Sequence, residues 1–530
     1  MNYASFVKSV SDFINRNRLF LLFLLLYLAF ITYFFRGIST IDPDFGWRLK
    51  VGEIITHRGI PKTDPFSYTM PSFPFVDHAW FFSFLIALTY PIFSNRLLSL
   101  FLTFMVFTCV YITTSRLLDE DFQHADFKAS YEKWLHPMVL VVLTFLILFF
   151  SVRAQIISWL IFAVLNSLLF KKDNYSRYRY FLPVIFFFWA NLHGGYSIGL
   201  AELVYFIVFR FIFGKKGTWR DFLVLFLSIL ATLATPYGLD GWREIISSVV
   251  DSRLRWSIAE WMPSITFFDV SMAFYVAMST FMVFLRRKEV PKIQFVFFWL
   301  MLFMGITSRR NMPFYMIFSL PLTIYSINKF YLSVSGSSDS RERFRIAFNF
   351  IRVVSVILLL LQMYITYWRA YSSNNLTLKK NDFYPSQAIS YLKSTSVNGE
   401  MFSSYGWGGY LIWKYPEKKV FIDGRMPSWK FTPANPDKES SSAYDDYLAI
   451  EKGEIDFKTV SDKYNIQYVL WPREKDSFFK NLERKIRNVK IFKKDEEEFS
   501  FTGYLKNNGW RLIYEDQTSE IYTHVNTERL

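Results

Sequence analysis

The sequence predicts a polytopic α-helical membrane protein of about eleven transmembrane helices, followed by a small C-terminal α/β extracytoplasmic domain. Three observations predict it. The 530 residues are 52% hydrophobic and 20% aromatic, with 60 Phe and a mean hydropathy of +0.18, which is too apolar for a soluble enzyme of this size. The formal charge of +15 sits in short Lys/Arg clusters between apolar runs, a positive-inside pattern rather than a nucleic-acid-binding face. Beyond Arg369 the composition turns polar, charged and rich in turn residues.

Apolar runs place spans near 19–36, 97–115, 138–152, 154–170, 181–192, 196–213, 222–236, 268–285, 293–307, 312–327 and 348–367. The first run is long, bulky and without a small-residue cleavage site, so it is expected to stay as a span rather than leave as a signal peptide. Clusters led by Lys8, Lys171, Lys215, Arg286 and Lys329 all fall on one side only if eleven spans are counted, and that side is expected to be cytoplasmic. This parity requires 79–93, "AWFFSFLIALTYPIF", to be a short aromatic helix in the outer interface. It also makes 116–136, acidic as it is, a cytoplasmic loop. The chain is thus expected at the plasma membrane, multi-pass, with a cytoplasmic N-terminus. Residues 1–367 form the membrane domain, with a first outer loop at 37–95, and 368–530 form the extracytoplasmic domain. Within the latter, 419–423, 465–470 and 510–514 read as strands, and 386–393 and 478–486 as helices. The single cysteine, Cys109, excludes a disulfide within the chain.

The first run ends in "IDPDFGWRLKVGEIITHRGIP". Asp44 is a favoured N-cap before a helix over 45–57, with Gly59 and Pro61 closing it. Capping alone does not account for a set as dense as Asp42, Asp44, Trp47, Arg48, Asp64, Asp77 and His78 beside a membrane, where ionisable groups are functional candidates. Four further clusters fall on the same expected side. "SVRAQ" supplies Arg153 and Gln155; "ANLHGGY" supplies Asn191 and His193, with Gly194–Gly195 allowing a tight turn. "TPYGLDGW…IAEW" supplies Asp240, Glu260 and Trp261 from the longest loop, and "TSRRNMP" supplies Arg309, Arg310 and Asn311. Arginines there run against the positive-inside bias, and a bound anion would explain them, because a guanidinium fork suits phosphate. "GWGGYLIW" reads as a turn leading into a strand and lacks the dinucleotide fingerprint. No zinc spacing, Walker motif or nucleophile elbow is present.

Taken in order, "DPDFGWRLKVGEIITHRGIPKTDPFSYTMPSFPFVDHAW", "VRAQIIS", "WANLHGG", "TPYG", "AEW", "RRNMP" and "YGWGGYLIW…KVFIDGR" resemble a bacterial group of the glycosyltransferase C superfamily, which includes protein O-mannosyltransferases and the lipid A aminoarabinose transferase. The resemblance covers nearly the whole chain. It implies a glycosyltransferase C-like membrane domain, a polyprenyl-phosphate sugar donor and an active site facing away from the cytoplasm. By position, Asp44 resembles the catalytic carboxylate with Asp42 its companion, and Arg309 and Arg310 fall where some relatives hold the donor phosphate. Many relatives carry a second acidic residue where this chain has Arg153, which weakens the case for a metal site.

The expected function is therefore membrane glycosyl transfer to an envelope acceptor hydroxyl, inverting, with Asp44 as general base. Arg309, Arg310 and Arg153 would hold the leaving phosphate, and Trp47, Arg48, Asp77, His78, Gln155, Asn191, His193 and Glu260 are further pocket candidates. No cofactor is required, although Asp42 and Asp44 would suit Mg²⁺ or Mn²⁺. Partners would be the lipid bilayer, the lipid-linked donor and a glycan, lipid or protein acceptor, without nucleic acid. The competing readings are a non-catalytic envelope scaffold or inactive homologue, and a lipid-linked saccharide transporter, for which the paired inverted halves are missing.

Overall fold

Each apolar run folds as a helix. The computed structural model describes residues 17–40, 42–115, 125–171, 173–213, 217–251, 254–266, 270–334, 338–372, 383–395, 398–473 and 499–524. The expected spans coincide with helices Arg18–Ser39, Asn95–Ser115, Ala125–Leu146, Gln155–Phe170, Leu182–Leu192, Tyr196–Ile212, Trp219–Leu233, Val270–Leu285, Lys292–Thr307, Met312–Val334 and Ser338–Ser372. Among the described residues, Phe20–Ser39, Asn95–Ser115 and Asn349–Trp368 are long and apolar enough to cross a membrane. Gln155–Phe170 with Asn174–Leu192, bent by 111°, makes up to four. The other helices are shorter. Lys292–Thr307 has 16 residues, about 24 Å of rise against roughly 30 Å of hydrocarbon.

Three local expectations change. The 116–136 segment is not all loop: a helix runs from Ala125 to Leu146 through Pro137, and 116–124 lies outside the described residues. The run expected to span to 152 stops being α-helical at Leu146 and tightens into a 3₁₀ turn, Ile147–Phe149. The long loop before Glu260 contains a helix of its own, Leu239–Val250, with no buried residue. The 79–93 stretch is a helix, Trp80–Phe93, 14 residues long.

The chain divides into two compact units, Met1–Ile41 with Asp77–Ser372, and Asp42–Val76 with Ser373–Leu530. The first is helical, held by Tyr33 donating to the Leu143 carbonyl at 2.5 Å and by Arg36 Nε donating to the Phe150 carbonyl at 3.1 Å. The second carries a four-stranded sheet in the order β1-β2-β4-β3, with β1 Glu400–Ser403, β2 Ile466–Pro472, β3 Trp510–Glu515 and β4 Ser519–His524. β1 runs parallel to β2, and the other pairings are antiparallel. The expected strands at 465–470 and 510–514 are β2 and β3, and the 386–393 helix is Ser386–Thr395; the expected helix at 478–486 lies outside the described residues.

The expected strand at 419–423 is instead a single parallel bridge, Val420 with Ser67. Val420, Phe421, Ile422 and Asp423 are all fully buried, so the alternation of a one-sided strand is missing. What the segment does is bind the first loop into the second unit. Val420 N–H donates to Phe66 O at 3.0 Å, Tyr68 N–H to Val420 O at 3.2 Å, Thr69 Oγ1 to Phe421 O at 2.7 Å, and Tyr68 Oη to Met401 O at 2.9 Å.

"GWGGYLIW" is also corrected. It forms a 3₁₀ turn, Tyr405–Trp407, and a helix, Gly408–Lys414, not a turn into a strand. Its glycines serve close approach, which local sequence preference does not reveal. A Cβ on Gly409 would stand 2.1 Å from Pro43 O, and one on Gly46 would stand 2.0 Å from Gly409 O. The Phe45–Arg58 and Gly408–Lys414 helices therefore meet backbone to backbone. Gly46→Ala is expected to cost about 1–3 kcal/mol by overpacking, read as a lower Tm of the purified full chain. An unchanged Tm would contradict this packing.

Candidate functional site

Asp42, Asp44, Trp47 and Arg48 belong to the second unit. Asp44 occupies the expected N-cap position of the Phe45–Arg58 helix, and Gly59, at φ 82°, ends it. The capping itself differs from expectation. Asp44 has helical backbone angles, φ −84° and ψ −13°, and its side chain makes no cap hydrogen bond, whereas a capping side chain needs a β-region backbone. The carboxylates do other things. Asp42 Oδ1 accepts the Asp44 N–H at 3.0 Å, and Asp44 Oδ1 accepts the Trp47 indole N–H at 3.0 Å. Asp42 is buried and Asp44 half-buried. The Arg48 guanidinium stacks 4.2 Å from the Trp47 ring centre.

Around them stand residues that sequence reading did not place. The Asp44 carboxylate lies so close to Gly424 that a Cβ there would be 2.5 Å from Oδ1. Next to it, buried Arg425 forks onto Asp423, with Nε to Oδ1 at 2.7 Å and Nη2 to Oδ2 at 2.6 Å, and reaches Asp64 through Nη1 at 2.6 Å. Burial alone would lower the Arg425 pKa, but the charges of Asp423 and Asp64 outweigh it and hold the guanidinium above its ordinary value. Tyr384 stacks on Tyr410, ring centres 4.4 Å apart. Burial, then the charges of Asp42 and Asp44, push its phenol well above the usual range, so it keeps its proton. "FIDGR" was visible as a motif; its partnership with Asp64 was not, because nothing local marks a contact across 361 positions.

The remaining candidates belong to the first unit. Three turns meet there. Arg309 N–H donates to Met262 O and Arg310 N–H to Glu260 O, each at 2.9 Å, and Gln155 Nε2 donates to Arg310 O at 3.2 Å. Arg153 pairs with Glu260 at 2.7 Å. The guanidiniums of Arg309 and Arg310 lie over the rings of Phe149 and Trp261, at 5.3 and 5.1 Å. The "SVRAQ", "AEW" and "SRRN" segments thus meet, bringing together Arg153, Gln155, Glu260, Arg309 and Arg310 through one ion pair and hydrogen bonds to the backbone.

The same Gln155–Phe170 helix carries Ser158, which lies 2.8 Å from His193 Nδ1. His193 faces His78, ring centres 5.8 Å apart. Gly194 and Gly195 sit at the expected turn, but their small size is needed for space: a Cβ at Gly194 would meet the His78 ring at 3.2 Å, and one at Gly195 the Ser158 Oγ at 2.5 Å. Two candidates have structural occupations. Asp77 accepts from Ala79 N–H at 2.9 Å and from Ser83 Oγ at 2.6 Å, starting the Trp80–Phe93 helix. Asn191 accepts from the Trp80 indole at 2.9 Å and donates to Phe187 O and Ala234 O.

The donor set for a metal is thin. Among the described residues no group of three or more His, Cys, Asp or Glu is arranged to hold an ion. Asp42 and Asp44 each have one oxygen already accepting a hydrogen bond, and a hard divalent cation takes six or more oxygens. Asp42 and Asp44 would hold Mg²⁺ or Mn²⁺ only as part of a shell completed by water and a substrate phosphate.

No protein-family model and no curated protein sequence matches the chain. Among solved structures, ArnT from Cupriavidus metallidurans in its apo state is similar at TM-score 0.50 and 11% identity, covering 94% of this chain and 97% of that one. The archaeal oligosaccharyltransferase AglB from Archaeoglobus fulgidus, solved with an inhibitory peptide and a dolichol-phosphate, matches at TM-score 0.48 and 11% identity, over 97% of this chain and 75% of that one. At such identity the likeness to ArnT concerns the fold, and it runs over almost the full length of both chains.

Proposed function

We propose that this chain, whose fold is that of the glycosyltransferase C membrane enzymes, moves a sugar from a polyprenyl-phosphate donor to an acceptor hydroxyl of the cell envelope. In this reading about eleven spans place the N-terminus in the cytoplasm and residues beyond 367 outside. The observation that supports it is the meeting of the three helix-connecting turns that carry Arg153, Arg309 and Arg310: Arg153 pairs with Glu260, and the Arg309 and Arg310 backbones donate to Met262 O and Glu260 O. A guanidinium fork suits a phosphate, and a prenyl tail remaining in lipid suits a site built at helix ends.

The chemistry is a single displacement. The acceptor oxygen attacks the anomeric carbon, the bond from that carbon to the phosphate oxygen breaks, and the configuration inverts. Asp44 takes the acceptor's proton, with Asp42 holding the Asp44 backbone through its 3.0 Å hydrogen bond. Arg309 and Arg310 stabilise the charge that develops on the departing polyprenyl phosphate. No step is routed through a metal.

Arg309→Gln with Arg310→Gln is expected to lower kcat by about 10²–10³ or more, the usual scale for losing a preorganised donor to a developing anion. Mass spectrometry of lipid-linked sugars and envelope glycans, with the wild-type chain, the double variant and no chain, reads the result. A glycan profile identical in all three would overturn the transferase reading and leave a scaffold.

A further inference from the structure

Two of the helices long and apolar enough to cross a membrane, Phe20–Ser39 and Asn95–Ser115, pack side by side. Ser99 Oγ donates to Phe34 O at 2.7 Å, and Gly37 makes room for it, since a Cβ there would stand 2.2 Å from that oxygen. The short Trp80–Phe93 helix ends beside this seam at Ser94, whose N–H donates to Tyr90 O at 2.8 Å. Ser94 has a φ of 49°, in the region that favours glycine. The chain then turns straight into the Asn95–Ser115 helix, and the turn leaves an open cleft of about 610 Å³. That volume lies within the range of about 300–1,000 Å³ found for small-molecule sites. Phe34, Leu97 and Leu100 line the cleft from the long helices, and Tyr90, Ile92 and Phe93 from the short one.

The cleft has one charged member, Arg96, and no carboxylate. Arg96 is exposed, and no ion pair or hydrogen bond with another described residue holds it. It stands in the first turn of a 21-residue helix. The rise of that helix, about 32 Å, is close to the roughly 30 Å of bilayer hydrocarbon, which puts Arg96 at the level of the lipid headgroups. Beside it the apolar walls stay open: Ile92 is 73% exposed, and Phe93, Leu97 and Leu100 are exposed as well. An apolar trough with a single cation matches an amphiphile with an anionic head. We infer that this cleft binds one anionic diacyl phospholipid of the surrounding bilayer, with its phosphate on Arg96 and an acyl chain between Tyr90 and Phe93 of the short helix and Phe34, Leu97 and Leu100 of the long ones. Such a lipid bridges the short helix to both long ones, filling a gap that their own side chains leave, and the strained Ser94 turn keeps the gap open. No carboxylate is there to act on a sugar, which favours a resident phospholipid over the lipid-linked donor. None of the residues assigned to the transfer site lines the cleft, so the inference does not depend on the proposed function.

The full chain, purified in detergent, is titrated with equal amounts of dioleoylphosphatidylglycerol and dioleoylphosphatidylcholine, and the lipid it retains is identified by native mass spectrometry. The wild-type chain is expected to keep one phosphatidylglycerol in preference to phosphatidylcholine. Arg96→Gln should weaken that preference by about fivefold, the scale of one cation beside an anionic lipid. Arg96→Lys should retain it, and so should Arg220→Gln, which removes an exposed cation at the end of another helix. Leu100→Trp, which fills the cleft, should lower the retention of both lipids, whereas Arg96→Gln lowers only that of the anionic one. Equal retention of the two lipids by the wild-type chain overturns the inference, as does a preference unchanged in Arg96→Gln. A loss in Arg220→Gln as large as in Arg96→Gln would reduce the binding to general surface charge and overturn the site. Displacement of the bound phosphatidylglycerol by an equal amount of a short-chain polyprenyl monophosphate would hand the cleft to the donor and overturn the phospholipid assignment. Arg96 lies on the surface and its variants keep the packing of the helices, so the Arg96 series decides the matter even where Leu100→Trp fails to fold.

Discussion

Asp44→Asn is expected to lower the proposed glycosyl transfer by orders of magnitude and to leave the fold in place. The usual objection to such a prediction is that an aspartate before a helix holds the helix, and here it does not. The Asp44 side chain makes no cap hydrogen bond, and the Trp47 indole that donates to it needs only an acceptor oxygen, which asparagine retains. What asparagine lacks is the ability to take a proton. Loss of general-base help is expected to lower the rate by about 10²–10⁴, with Tm unchanged within error. Asp42→Asn is the control, because its oxygen can still accept the Asp44 N–H; its effect on rate should be the smaller. Full activity in the Asp44 variant would reduce that residue to an anchor for Trp47.

Arg425→Met is the largest expected change in stability. The guanidinium, 3% exposed, is the shared counter-ion of Asp64 and Asp423, whose side chains are fully buried. Removing it strands two carboxylates away from water, and breaking a buried pair from one side typically costs about 3–5 kcal/mol. Thermal unfolding of the full chain should show a clearly lowered Tm. Adding Asp64→Asn and Asp423→Asn to the same chain should recover part of the loss, because the stranded charges are then gone. No recovery would mean that the aromatic walls of Phe66, Phe75 and Trp429 around Arg425, rather than the charges, set its contribution.

Helix positions were legible because an apolar run is a local signal: every expected apolar segment coincides with a helix, and Trp80–Phe93 and Gly59 fall where expected. Long-range pairings were not legible. "KVFID" has strand composition, yet its partner is one residue of the first loop, Ser67. Gly408–Gly409 favours turns by intrinsic preference, but packing against the Pro43 backbone requires a helix with no side chain in the way. Arg153 announced itself as a cation where the expected topology favours few; its partner Glu260, 107 positions away, could be named as a candidate but not joined to it. Ser158, in the first turn of an apolar helix, closes the "VRAQIIS" motif, but only its distance to His193 reveals the pairing.

The Asp42–Val76 segment folds with residues that begin at Ser373. Arg425 is translated 361 positions after Asp64. At the ribosome's pace of about 5–20 residues per second, that gap amounts to roughly 20–70 s. During this interval the acidic segment lacks the partners that shape it, Arg425 for Asp64 and the Val420 backbone for Phe66 and Tyr68. Under the proposed function, a half-made polypeptide would lack the arrangement around Asp44, so that the order of synthesis would itself guard against premature sugar transfer.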